Sequence, residues 1–120
     1  MSVRCDAFAP GVVRQAMSDL SGVGLALADA MLVASELVTN AVRHSMCTED
    51  EFLTVRVSCD GSVRIHVLDP GISGASAEIA DRPSELGGVG LKVVEAVSQR
   101  WGTERGDRGY AVWAELARPV

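Results

Sequence analysis

Aromatic residues are scarce: two Trp, two Phe and one Tyr make up 4% of the 120-residue chain. A core built without them is filled by small aliphatics, which bring helix and sheet into close contact. Basic charge is also short, with 11 Lys and Arg against 16 Asp and Glu and a formal net charge of −5. The basic residues are scattered, a poor match for a polyanion, so nucleic acid is not an expected partner. Cys5, Cys47 and Cys59 form no C-x-x-C pair, and neither His44 nor His66 is spaced to complete a metal set. They are expected to be reduced, mostly buried thiols in a reducing cytoplasm. No apolar run approaches the roughly 18–20 residues of a membrane span, and residues 1–10 lack a charged-then-apolar leader pattern. The expectation is a soluble, cytoplasmic protein with no membrane partner. Repeats, low-complexity tracts and linkers are lacking too. What remains, 48% hydrophobic and 22% charged, is ordinary globular composition, enough for one domain over residues 1–120, alone or as a homodimer.

Periodicity predicts a short strand within residues 2–7 and a helix over 12–20, punctuated by Ala9-Pro10-Gly11 and Ser21-Gly22-Val23-Gly24. Residues 25–45 predict a core helix, with Leu27, Ala30, Met31, Ala34, Leu37, Val38 and Ala41 on one stripe. Its other side mixes Asp29, Glu36, Asn40 and Arg43 with Leu32 and Val33, the pattern of a helix covered on both sides with polar groups aimed into a partly closed cavity. Residues 52–58 and 63–68 alternate as strands around Asp60-Gly61, whose glycine supplies the positive φ of a tight turn. Residues 69–88, with two prolines and four glycines, predict a long functional loop. Residues 91–101 predict a helix closed by Gly102. A last hairpin, 103–105 and 110–116, turns at Gly106-Asp107-Arg108-Gly109. The order β-α-α-β-β-loop-α-β-β predicts an α+β two-layer sandwich, helices on one face of a mixed, mostly antiparallel sheet.

Three segments can carry chemistry. Glu36 and Asn40 are helical neighbours, so a carboxylate and an amide oxygen sit at a separation suited to water and a hard cation; a merely wet helix face reads the same way. Asp69 ends a strand just before Pro70-Gly71, where a carboxylate can accept a hydrogen bond from an exocyclic amine such as that of adenine; an ordinary turn also fits. Gly87-Gly88-Val89-Gly90-Leu91 places glycines at a helix N-terminus, where exposed N–H groups and partial positive charge suit phosphate. The P-loop and dinucleotide fingerprints are absent, so a phosphate site here is of another kind.

In this order the segments resemble the signature boxes of the GHKL ATPase superfamily, which includes histidine kinases, type II topoisomerases and bacterial anti-sigma-factor serine kinases. The likeness is to the small stand-alone anti-sigma kinase-like branch. Glu36-Leu37-Val38-Thr39-Asn40-Ala41-Val42-Arg43-His44 looks like its N box and Asp69-Pro70-Gly71 like its first glycine box. Gly88-Val89-Gly90-Leu91, followed by Arg100-Trp101-Gly102, looks like its second glycine box. The resemblance implies a Bergerat-type ATP-binding fold and ATP with Mg²⁺ as cofactors. Asn40 is implied as metal ligand, Glu36 as catalytic base, Asp69 as the adenine reader and Gly71 as room for the base. Gly88, Val89, Gly90 and Leu91 are implied as the phosphate cradle, with Arg43 and His44 near the nucleotide. It further implies a serine/threonine-protein kinase that binds a sigma factor and phosphorylates a STAS-type anti-anti-sigma partner; the alternative is a non-catalytic nucleotide-binding module that sequesters its partner. The chain departs from the pattern in Ile72-Ser73 where a second glycine is usual, in Gly109-Tyr110-Ala111 where many relatives have Gly-Thr, and in Glu78, Asp81 and Glu85 near Arg82.

By position alone, His44 reads as a helix-dipole partner, His66 as half-exposed, and Trp101 and Trp113 as core. Arg4, Arg100, Arg105 and Arg108 read as solvated, the lesser alternative being that some mark a partner surface.

Overall fold

The computed structural model describes residues 1–19, 27–44, 48–70, 89–106 and 109–117, and the side chains of these except at 44, 60, 89–91 and 106. Five strands are described: β1 (Ser2–Arg4), β2 (Phe52–Asp60), β3 (Ser62–Asp69), β4 (Arg100–Gly106) and β5 (Gly109–Ala117). Three helices accompany them: α1 (Ala9–Met17), α2 (Leu27–His44) and α3 (Val89–Val97). The element order is the one periodicity predicts, and the architecture is α+β.

The strands form one sheet in the order β1-β2-β3-β5-β4. Every pairing is antiparallel, so the sheet is simpler than the mixed one expected. The central register sets Val63 opposite Leu116, Ile65 opposite Ala114 and Val67 opposite Val112, and Val57 opposite Ile65 on the other side. Because strand side chains alternate, these residues share the face that receives the helices. Gly61 adopts φ +80 between β2 and β3, the positive value the Asp-Gly turn requires.

α1 presents Ala9, Val13 and Met17 at four-residue spacing, all buried. Pro10 stands in its first turn, where a missing N–H costs nothing, so the helix begins at Ala9 rather than at residue 12. The Phe8 N–H donates to Asp6 Oδ1 at 2.9 Å just before it. α2 buries Ala30, Val33, Ala34, Leu37 and Val38 completely, packs on β3 and β5, and is flanked by α1 and α3. The alanines at 30, 34 and 114 supply the close approach that a core poor in aromatics demands.

Several expectations are corrected. Val33 belongs to the core, whereas Leu32 is 40% exposed, so the outer arc of α2 is not covered throughout. α3 ends at Val97, and Trp101 and Gly102 lie in β4. Trp101 still packs on the core, from the sheet. Trp113 alternates onto the opposite face, out of the core, because its neighbours Val112 and Ala114 point toward the helices. Cys5 is disulfide-bonded while Cys59 carries a half-buried thiol, so the three reduced thiols that pointed to a reducing compartment are not observed. The segments 20–26 and 71–88 and the turn at 107–108 lie outside the described residues, so the predicted long loop does too. Among the described residues no helix is long and apolar enough to cross a membrane.

Leu37 and Leu32 mark the two sides of α2 and predict opposite costs. Leu37→Ala should cost about 2–5 kcal/mol of stability, and Leu32→Ala only about 0.5 kcal/mol. Urea unfolding midpoints of the two variants check this.

Candidate functional site

The polar edge of α2 is assembled by helical spacing. Ser35 Oγ donates to the Leu32 carbonyl at 2.9 Å, and Thr39 Oγ1 donates to the Ser35 carbonyl at 2.7 Å, so both hydroxyls are spent on the helix itself. Glu36 and Asn40, one turn apart, are both half-buried. The Asn40 Nδ2 atom is buried and has no hydrogen-bond partner among the described residues. An amide left so costs about 1–3 kcal/mol in a folded chain, and a ligand that meets it recovers that cost. Arg43 is exposed in the last turn. His44 closes α2, with its side chain outside the described set.

The second predicted segment is the end of β3. Asp69 is 3% exposed, one of only two buried polar or charged residues among those described. The register sets it opposite Tyr110, itself buried at 8% exposure. Gly109, which opens β5, adopts φ +140, and a Cβ there would collide with the Asp69 carbonyl oxygen and lie 2.9 Å from the Pro70 carbonyl carbon. A glycine thus lets the β5 backbone press against the chain that carries Asp69. Sequence reasoning placed Gly109 in a hairpin turn and in the Gly109-Tyr110-Ala111 departure from the family's Gly-Thr, but not as the point where β5 meets Asp69. A glycine standing directly before an apolar strand was the available signal.

The third segment is described only in part. Gly71 and Gly88 lie outside the described residues, as do Arg82 and the acidic residues around it. Val89, Gly90 and Leu91 form the first turn of α3. α3 packs on α2, and α2 packs on β3 and β5. The described parts of all three segments therefore belong to adjoining elements. Among the described residues no group of three or more His, Cys, Asp and Glu side chains is placed to hold a metal ion.

The family model of histidine kinase-, DNA gyrase B-, and HSP90-like ATPases matches residues 27–119. That span runs from the start of α2 through the end of β5, and the chain belongs to this family. No curated protein matches the chain. Family membership makes ATP, generally taken with Mg²⁺, the ligand to expect.

The close approach at Gly109 predicts a graded pair. Gly61→Ala, where positive φ meets open space, should cost about 1–2 kcal/mol. Gly109→Ala should cost more, because the Asp69 carbonyl must also move, and it should lower ATP affinity where Gly61→Ala does not. Denaturant unfolding and calorimetric ATP titration of both variants measure this.

Proposed function

We propose that this ATPase-family chain is an anti-sigma-type regulator that uses Mg-ATP to phosphorylate a serine of a STAS-type anti-anti-sigma partner and binds a sigma factor. The observation that carries the reading is the buried, unpartnered Asn40 amide one turn from Glu36, within a stretch that resembles the N box of that branch. The donor set suits the nucleotide: Mg²⁺ is hard, keeps most of its waters and accepts few protein oxygens, so one carboxamide is enough. When bound, Mg-ATP supplies the phosphoryl group together with the charge that neutralises its oxygens.

The chain's own residues do the rest. Asn40 would hold the cation through its carboxamide oxygen, leaving Nδ2 free to donate to a phosphate or water oxygen. Glu36, half-buried beside it, would take the proton from the partner's serine hydroxyl as that oxygen bonds to the γ-phosphorus and the bond to ADP breaks. Asp69 accepts a hydrogen bond from the adenine amine, and its burial strengthens that bond by excluding water. Positioning and charge account for most of the acceleration in phosphoryl transfer, which agrees with a site built of few polar groups.

A second reading is a module in which nucleotide only fixes the partner-holding conformation. Ile72-Ser73 in place of a second glycine, and the three acids at 78, 81 and 85, favour it. Labelled ATP with a STAS-type partner separates the two. Serine phosphate that falls at least a hundredfold in Glu36→Ala, while ATP affinity stays within about twofold, is the kinase result; tight binding with no transfer in the parent chain is the module result. Asn40→Ala should abolish the Mg²⁺-dependent part of ATP affinity, read by titration with and without the metal. Unchanged affinity would remove Asn40 from the site.

A further inference from the structure

The face of the sheet turned away from the helices is organised, and nothing in the nucleotide reading uses it. Alternation places Arg4, Phe52, Thr54, Arg56, Ser58, Arg64, His66, Trp113, Glu115, Arg100, Gly102 and Glu104 on this side. Among its described side chains four arginines stand against two glutamates, on a chain whose formal net charge is −5. Four of the chain's eleven basic residues thus share one flat surface.

The two glutamates do not neutralise it evenly. Arg100 meets Glu115, with Nε at 3.2 Å and NH2 at 3.0 Å from Oε1. His66 lies 3.9 Å from Glu104. Arg4, Arg56 and Arg64 make no ion pair among the described residues, and all three are exposed. The Arg64 guanidinium sits over the Trp113 ring at 4.9 Å and that of Arg4 over Phe52 at 5.9 Å. Trp113 in turn lies on β4 at Gly102, where a Cβ would stand 3.0 Å from Cζ2 of the indole. The aromatics hold the guanidiniums as a supported, oriented array, which lowers the entropy lost when they bind.

We infer that this face binds an acidic, Asp- and Glu-rich polypeptide segment of a partner protein. Guanidinium forks match carboxylates two bonds at a time, and exposed arginines lacking a carboxylate of their own are available for it. A single-stranded nucleic acid fits less well. Base binding needs free aromatic faces, and here Arg64 caps Trp113. A long polyanion would also overrun the patch into acidic surface, whereas a short acidic segment need not.

The test uses the full chain and a fluorescein-labelled decaglutamate peptide in an anisotropy titration at low salt. Measurable binding is expected, weakening as salt rises. It should fall about tenfold in Arg56→Ser/Arg64→Ser. Arg56→Ser alone, which leaves Arg64 on Trp113, should show a smaller loss in the same direction. The Mg-ATP-dependent rise in melting temperature serves as the folding control, and it should match the parent chain in both variants. No peptide binding by the parent chain, equal affinity in the double variant, or tighter binding of a labelled ten-residue oligothymidine than of the peptide would each overturn the inference. So would peptide binding blocked by a dimer that the double variant dissolves, since the face would then belong to a second copy. If ATP raises no melting temperature in the parent chain while the arginine effect remains, the nucleotide reading fails and this one stands.

Discussion

The packing of α2 against β3 and β5 is the constraint on which the rest depends. Ala30, Val33, Ala34, Leu37 and Val38 are excluded from solvent on one side of that helix, and Val63, Ile65, Val67, Ala114 and Leu116 meet the helices from the sheet. Because the apolar stripe fixes the rotation of α2 about its axis, it also fixes where Glu36 and Asn40 point. The edge of the stripe carries the polar groups of the candidate site: Asn40 lies next to core positions, deep enough for its Nδ2 to be buried, and Glu36 lies one turn away. Rotating the helix to satisfy Asn40 with water would expose Leu37, at a cost larger than the orphaned amide.

The end of β3 shows the same economy from the sheet side. Asp69 continues the inward alternation of Val63, Ile65 and Val67, so the strand that builds the core delivers a buried carboxylate at its last residue. Gly109 lets β5 close upon it. Both polar features of the site are thus by-products of apolar patterning carried one residue further than the core needs.

The two faces of the sheet are divided by chemistry as well as by cover. One is aliphatic and meets the helices. The other holds arginines over aromatics, and Trp113 lies there because its strand neighbours are committed to the core. An acidic chain that sets four arginines on a single flat face presents a local field that composition alone conceals.

Local sequence determined much of this protein. The Asp60-Gly61 turn, the alternation of β2 and β3, the stripe of α2 and the ordered boxes at Glu36, Asn40 and Asp69 are written in short-range spacing, because turn geometry and helical period are properties of adjacent residues. Tertiary structure decided the rest. Trp101 stands at helical spacing from Val94 and Val97, and only pairing with Ala114 draws it into β4. Cys5 gave no local sign of its disulfide, since partners are chosen by distance in space. Gly109 gained its role from the approach of Asp69, forty residues earlier in the chain, and the arginine face arises only when all five strands lie side by side. Spacing along the chain specifies which side of an element a residue occupies; what that side meets is fixed only when the elements pack.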